Sequence, residues 1–301
     1  MLRSTTDGRH LRWIILPCFG KPLNTPVPRS FTCNTGLWRN GARIDPRWKA
    51  MFIRTEAIVL REVELGEADK LLDLLSKDRG LMTVRARGVR RGSSPLKSAC
   101  QLLTLSEFTL QDFRGKLSVQ EAQSLEQFRP IRDSIELLAL GSYFAQAVGT
   151  VAQEDAPNPE LLSLLCNALY ALGQLKRPQD LVKAAFELRL ACLAGFAPDL
   201  SACAVCGAEA PDRFDLSRGS LFCAGCREGK SGIRMPLSPG MLLAMRYIVW
   251  CDPKRLFSFR LEENGLRELS SVTEAYLMTQ LEHSFYTLDF YKTLLHYGET
   301  V

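Results

Sequence analysis

Two C-x2-C pairs constrain the fold of this chain more than any other feature of its sequence. Cys203 and Cys206 form the first pair, and Cys223 and Cys226 form the second, with sixteen residues between the pairs. Two thiolate pairs at this separation suit a tetrahedral four-sulfur metal site, for which Zn²⁺ is the expected ion. Because four protein ligands leave no open coordination position, we expect one structural Zn²⁺. A redox role for either pair is the weaker alternative, since no thioredoxin-like strand and helix surround it.

The cysteines lie in a module that we place at residues 201–233, within a region of helical periodicity. Phe214, Leu221 and Phe222 predict a small apolar core belonging to the module itself. Its surface mixes acidic and basic residues, so nucleic-acid binding is the lesser interpretation. We expect the module to act as a clasp that fixes the helices on either side of it.

The region before the helices alternates apolar and polar residues with the two-residue period of β-strands. Five strands are predicted, at residues 55–63, 69–77, 81–89, 101–111 and 116–121. Five strands in about 75 residues with short turns are typical of a small barrel of the oligonucleotide/oligosaccharide-binding (OB) type. We assign this barrel to residues 51–129, with Phe108 in its core and Phe113 as a candidate for base stacking.

From residue 131 onward the apolar residues recur with the period of helices. Helices are predicted at residues 135–148, 160–175, 179–194, 239–250, 267–285 and 288–296. The fold class is therefore a multidomain α+β protein, with a helical bundle at residues 130–301 that contains the cysteine module. Four cations in this region are expected on a solvated helix face: Lys176, Arg177, Lys183 and Arg189.

A basic stretch at residues 79–97 is the first candidate ligand site. It contains Arg85, Arg87, Arg90, Arg91 and Lys97, and no acidic residue occurs between residues 80 and 106. Alternation along the strand sends the arginines to one face, and a Gly/Ser-containing loop follows. Guanidinium groups presented in this way suit a phosphate backbone, so we expect nucleic-acid binding. The alternative is a solvated basic edge that only deters strand pairing.

The net charge of +5 is unevenly distributed along the chain. Residues 1–50 hold nine Lys/Arg and two Asp, which leaves 29 basic and 31 acidic residues in the rest. We exclude this leader from the fold, with three interpretations open: translated upstream sequence with Met51 as the true start, an organellar-type presequence, or a disordered basic arm. The remaining sequence contains no membrane-helix pattern and no export signal, so a cytoplasmic location is expected.

Motifs that would indicate an enzyme are missing from the sequence. It has no phosphate-binding glycine loop followed by Lys-Ser/Thr, no G-x-G-x-x-G after a strand, and no G-x-S-x-G. No carboxylate cluster suggests a two-metal nuclease. This pattern favours a binding protein.

Three motifs in the barrel region then suggest a family. Residues 54–61 read Arg-Thr-Glu-Ala-Ile-Val-Leu-Arg, residues 66–72 read Gly-Glu-Ala-Asp-Lys-Leu-Leu, and residues 80–91 read Gly-Leu-Met-Thr-Val-Arg-Ala-Arg-Gly-Val-Arg-Arg. Followed by helices and the four cysteines, this order resembles the RecO family of bacterial DNA repair and recombination proteins. The resemblance extends from residue 51 to about residue 295.

The resemblance implies a non-enzymatic mediator that binds single- and double-stranded DNA and anneals complementary strands. It also implies association with RecR and with the tail of single-strand-binding protein, and help in loading RecA. The positions matching the family's DNA-binding barrel are Arg85, Arg87, Arg90 and Arg91, with weaker candidates at Lys97, Arg114 and Lys116. Two other classes stay open: a protein-interaction scaffold whose barrel is only structural, and an enzyme acting on nucleic acid.

Overall fold

The computed structural model describes residues 51–226 and 232–298 of the chain, with side chains to residue 296. The leader and residues 227–231 of the cysteine module lie outside the described residues. The predictions that concern the leader therefore stay predictions.

Five strands form the barrel that the sequence predicts. They run β1-β2-β3-β5-β4, with β4 returning to β1. All neighbours are antiparallel except β3 and β5, which meet through the short parallel pairs Val84–Leu117 and Arg85–Ser118. The strands are β1 Met51–Leu65, β2 Asp69–Ser76, β3 Gly80–Ala86, β4 Leu105–Phe113 and β5 Lys116–Glu126.

The middle of β1 is buried on both faces, and this joins the barrel to the helices. Ala57 and Val59 point into the barrel core, where Phe108 also lies as expected. Ile58 and Leu60 point outward and belong to the core of the helical region. A strand buried on both sides reads as a continuous apolar run, which is the sequence pattern found here.

The segment between β3 and β4 is an ordered plug and not an open loop. Residues 88–100 form successive turns in which Arg91, Ser94 and Lys97 donate backbone N–H groups to carbonyls three residues earlier. Leu96 and Cys100 from this segment are buried in the barrel core. As a result β3 ends at Ala86 and β4 starts at Leu105, four residues later than predicted.

Seven helices follow the barrel in the described part of the chain. Two of the starts agree with the capping residues of the sequence, because the Ser134 and Ser238 side chains accept the N–H groups of Leu137 and Met241. The helix predicted at residues 267–285 instead spans Glu263–Leu281 and has no side-chain cap at its start. The helices are α1 Arg129–Arg132, α2 Ile135–Val151, α3 Pro159–Gly173, α4 Gln179–Leu193, α5 Pro239–Trp250, α6 Glu263–Leu281 and α7 Tyr286–Gly298. No helix among the described residues has both the length and the apolarity needed to cross a bilayer.

The prediction that Lys183 lies on a solvated helix face is wrong. Its side chain is 4% exposed, and its Nζ lies 2.9 Å from a Glu187 carboxylate oxygen and 2.8 Å from one of Glu274. Glu187 in turn accepts hydrogen bonds from Tyr143 and Thr273, both at 2.8 Å. The sequence analysis placed Lys183 on the outer face of its helix, but α6 packs directly on α4 and encloses the side chain.

The cysteine module is a four-stranded sheet between α4 and α5. Its strands follow the order β6-β8-β7-β9. They are β6 Asp199–Cys203, β7 Arg213–Asp215, β8 Ser220–Phe222 and β9 Arg234–Pro236. The prediction of a separate apolar core is wrong, because Phe214 and Leu221 belong to the core of the helices. The Phe214 ring packs edge-on against that of Tyr276 in α6, with centroids 5.0 Å apart.

Candidate nucleic-acid interface and metal centre

All seven basic residues predicted to contact DNA are exposed on the barrel. Within β3 the buried Val84 and Ala86 alternate with the exposed Arg85, and Arg87 continues this alternation just beyond the strand. The parallel pairing of Val84 with Leu117 brings the start of β5 beside β3. Lys116 therefore lies on the strand next to Arg85, and Arg114 lies in the β4–β5 turn just before it. Lys97 stands apart from this group, in the plug segment.

Arg85 is held by an acidic partner on the neighbouring strand. Its Nε and Nη2 donate to the same Asp69 carboxylate oxygen, at 2.9 and 2.6 Å. The other oxygen of Asp69 accepts the Gly88 N–H at 2.8 Å. The Gly88 N–H and the Arg85 guanidinium lower the pKa of Asp69, so this carboxylate is ionised at neutral pH.

Arg90 is also paired, and its contacts attach the loop after β3 to the β1–β2 turn. Its Nη2 lies 3.0 Å from a Glu64 carboxylate oxygen, and its Nη1 donates to the Gly66 carbonyl at 3.0 Å. The Arg90 backbone N–H donates to the Ala68 carbonyl at 2.9 Å. Arg90 thus contributes to the conformation of the loop as well as to its charge.

The remaining cations of the group are more available to a ligand. Within the described residues, the side chains of Arg87, Arg91, Lys97 and Lys116 make no hydrogen bond or ion pair. Arg114 lies over the ring of Phe113, with 5.3 Å between its guanidinium carbon and the ring centroid. The candidate interface therefore combines cations whose side chains are free with two arginines, Arg85 and Arg90, that are neutralised by carboxylates.

The carboxylates of Glu64 and Asp69 were not predicted as partners of the arginines, because the basic stretch itself contains no acidic residue between residues 80 and 106. The partners come from the preceding hairpin, where Leu65 pairs with Asp69, and Leu71 pairs with Arg85 on the next strand. The signal was present in the short turn at residues 66–68, which forces β1 and β2 to pair and brings Glu64 and Asp69 to the barrel edge near the arginines.

The four module cysteines converge on one point. Their sulfur atoms all lie within 4.8 Å of one another, and Cys206 Sγ is 3.7 Å from Cys223 Sγ. Sulfurs at about 2.3 Å from a tetrahedral zinc ion are about 3.8 Å apart, so the group fits such an ion. Pairing of β6 with β8 causes this approach, because Cys203 ends β6 and Cys223 follows β8.

Backbone N–H groups surround the Cys203 sulfur, as expected of a metal-binding thiolate. The N–H groups of Cys206, Val205 and Cys223 lower the pKa of Cys203 to about 6. The hydrogen bond with Cys206 and the charge of the neighbouring sulfurs raise the pKa of Cys223 to about 12. Binding of a divalent cation would favour the thiolate form of all four groups.

Arg246 on α5 holds the module against the helices. Its Nε donates to the Leu200 carbonyl at 2.7 Å, and its Nη2 donates to the carbonyls of Ser201 and Glu209 at 2.7 and 2.9 Å. These contacts agree with the expected clasp. No feature of the sequence distinguished Arg246 from other surface arginines.

Comparison with known proteins agrees with the motif order. The family description "Recombination protein O N terminal" matches residues 51–128, and "Recombination protein O C terminal" matches residues 132–289. A protein of Acetivibrio thermocellus named DNA repair protein RecO is 36% identical over 247 residues, which cover 81% of this chain and 97% of that protein. Its namesake in Desulforudis audaxviator is 33% identical over 243 residues, which cover 80% and 96% of the two chains.

Both family models and both relatives cover the barrel and the helical region together. The N-terminal match spans all five strands, and the C-terminal match spans the cysteine module and its flanking helices. The chain therefore belongs to the RecO family, whose proteins act in DNA repair and recombination.

Proposed function

We propose that this chain is a non-enzymatic recombination mediator that binds single- and double-stranded DNA through its barrel and anneals complementary strands. The observation that supports this is the group of exposed cations along β3, its following loop and the start of β5. Free Arg87, Arg91 and Lys116 side chains suit the phosphates of a strand lying across the barrel. Lys97 and Arg114 extend this surface. Arg85 and Arg90 must first break their ion pairs with Asp69 and Glu64, so each should contribute less to the affinity for DNA.

Annealing follows from charge neutralisation alone. Two strands repel each other through their phosphates, and a protein that covers some of them lowers this repulsion and releases counterions. Base pairing then supplies the free energy, so no nucleotide hydrolysis is required.

The test is binding and annealing by the full chain with paired arginine substitutions. Arg87→Gln with Arg91→Gln removes two free cations, so the salt slope for single strands should fall by about 1.4 and the affinity at 0.1 M salt by roughly 25-fold. Arg85→Gln with Arg90→Gln should cost less, because these side chains are already ion-paired. If all four substitutions together leave affinity, salt slope and annealing rate unaltered, the proposed site is wrong.

A version of each protein lacking residues 1–50 serves as a second background for this test. The leader has a charge of +7, so it can bind DNA by itself and mask losses in the barrel. A difference between arginine variants that is seen in both backgrounds belongs to the barrel.

The proposed protein partners are RecR and the tail of single-strand-binding protein, through which the chain assists RecA loading at the nucleoid. We place the tail only generally, on the helical region. Exposed apolar side chains there, including Trp250 and Tyr286, support protein contacts. Co-elution with RecR and fluorescence anisotropy with a labelled tail peptide test these associations, and no binding at micromolar protein would exclude them.

We also propose one structural Zn²⁺ at Cys203, Cys206, Cys223 and Cys226. The convergence of four sulfurs at tetrahedral spacing supports this assignment. Elemental analysis should find about one zinc per chain, and Cys203→Ser should abolish it. Replacement of Cys166, which lies away from the module, should leave the zinc content unaltered.

A second candidate is a protein-interaction scaffold in which the barrel is only structural. The pairing of Arg85 with Asp69 and of Arg90 with Glu64 favours it, because these arginines then stabilise the hairpin and its loop. The scaffold would be supported if the wild-type chain does not bind DNA and the variant with all four arginines replaced still binds the protein partners.

A further inference from the structure

Two exposed phenylalanines lie close together on the outside of the barrel. Phe52 at the start of β1 is 63% exposed, and Phe113 at the end of β4 is 50% exposed. Phe52 pairs with Gln111, and Phe113 lies two residues beyond Gln111 on the same outward face. Such diagonal neighbours are about 7–8 Å apart, close enough for both rings to belong to one surface.

The charges around this pair of rings suit a polyanion. Lys116 is directly opposite Phe113 in the β4–β5 register, and Arg114 lies over the Phe113 ring. Asp112 points toward the inner side of the sheet and accepts the Gly115 N–H at 2.9 Å. The outward carboxylate farther along β4, on Glu107, is ion-paired with Arg54 at 2.7 Å.

A second exposed apolar patch on the barrel provides a contrast. Val63, Leu65 and Leu71 are exposed at the β1–β2 hairpin. All three side chains are aliphatic, so this patch offers no aromatic ring on which a base could stack. The phenylalanine pair is therefore the better apolar surface for nucleic acid.

Strand register connects the phenylalanine pair to the arginine group. One row of register partners crosses the barrel from Phe52 through Gln111 and Ser118 to Arg85. Ser118 itself is 8% exposed, and the Gln120 amide donates to both Ser118 and Gln111. Three strand spacings separate the ends of this row, which is about 14 Å along the surface. A binding site of a few nucleotides on an OB barrel spans such a length.

We propose that Phe52 and Phe113 form a stacking platform for unpaired bases of the same strand whose phosphates contact the arginines. This rests on the proposed DNA binding by the barrel and adds a contact that only single-stranded DNA makes. Stacking requires a free base face, which a continuous duplex does not offer. The platform thus gives the barrel a preference for single strands that the cations alone do not provide.

The test compares wild type with Phe52→Ala/Phe113→Ala in fluorescence anisotropy with three ligands: a thymidine 30-mer, the same length of abasic strand, and a 30-bp duplex. The double variant should lose about tenfold or more of its affinity for the thymidine strand. Its affinities for the abasic strand and the duplex should stay within about twofold of wild type. The salt slopes should also be unaltered, because no phosphate contact is removed.

Phe290→Ala is the matched control, since it removes an exposed phenylalanine from α7 and should alter none of these affinities. Thermal unfolding checks that both proteins fold, and Phe52→Leu/Phe113→Leu is the alternative pair if the alanine variant is unstable. An unaltered thymidine affinity, or equal losses on all three ligands, would overturn the platform.

The arginine variants separate this result from failure of the proposed function. If Arg87→Gln with Arg91→Gln weakens binding while the phenylalanine substitutions do not, only the platform is wrong. If neither set alters binding, the barrel is not the DNA site and both proposals are wrong.

Discussion

Replacing Asp69 with asparagine should strengthen DNA binding. Asp69 accepts two hydrogen bonds from Arg85 through one oxygen and the Gly88 N–H through the other. Asparagine keeps an oxygen that can accept the Gly88 N–H, so the loop conformation should survive. It removes the negative charge that competes with a phosphate for the Arg85 guanidinium.

The expected size follows from counterion release. One additional phosphate contact steepens the dependence of log affinity on log salt by about 0.7 for single strands. At 0.1 M salt this corresponds to about a fivefold gain in affinity, which should vanish as the salt approaches 1 M. Fluorescence anisotropy with a labelled thymidine oligonucleotide at four or more salt concentrations measures both quantities.

A matched variant separates this local effect from a general change in charge. Glu263 on α6 pairs with Arg267 at 2.5 Å, and both side chains are exposed. Glu263→Gln raises the net charge by the same one unit but frees an arginine on the helical region. If Asp69→Asn gains no more than Glu263→Gln, or binds more weakly than wild type, Arg85 does not contact phosphate.

Further substitutions test the fold and the metal centre. Cys223→Ser should reduce the zinc content from about one per chain to near zero by elemental analysis, because three sulfurs do not complete the tetrahedral site. Ile58→Ala should destabilise the chain by about 2–5 kcal/mol in urea unfolding, since this side chain is fully buried between barrel and helices. Lys183→Met should cost about 3–5 kcal/mol in the same assay, because Glu187 is left buried without its cation. Neighbouring cations, above all Lys183, offset burial and hold the pKa of Glu274 below its ordinary value of 4.5, so its contribution to stability is complete above pH 4.5 and is lost as the pH falls further. The melting temperature should therefore fall less on acidification in Glu274→Gln than in wild type.

Much of the fold could be predicted because local patterns and tertiary structure agree. The two-residue period gave five barrel strands, the Ser134 and Ser238 caps gave helix starts, and the paired cysteines gave a converging sulfur group. Boundaries were less accurate where burial and local pattern conflict. Residues 101–104 were predicted as part of a strand, but Leu103 has a φ of 57° and packs with Leu102 against the helical core.

The contacts that could not be predicted involve pairs of residues far apart in sequence. Lys183 and Glu274 are 91 positions apart, and only the packing of α6 on α4 makes them an ion pair. Asp69 and Arg85 meet through strand register. A single sequence shows that Lys183 and Arg85 are charged, but it does not show which carboxylates they will meet. Both cations were therefore expected to be free, and both are ion-paired in the structure.

The way the helices attach to the barrel also decides which barrel surface can meet DNA. Ile58 and Leu60 point outward from β1, and the helical core covers them together with Leu75 from β2. This removes the middle of β1 and the end of β2 from solvent. The start of β3 also contacts the helical region, because Leu81 packs against its core and donates its N–H to the Gln153 carbonyl. Farther along, Arg85 on β3 and Lys116 on β5 stay exposed. The apolar outward residues of β1 thus determine the interface indirectly, because by binding the helices on one side they leave the cationic side of the barrel open.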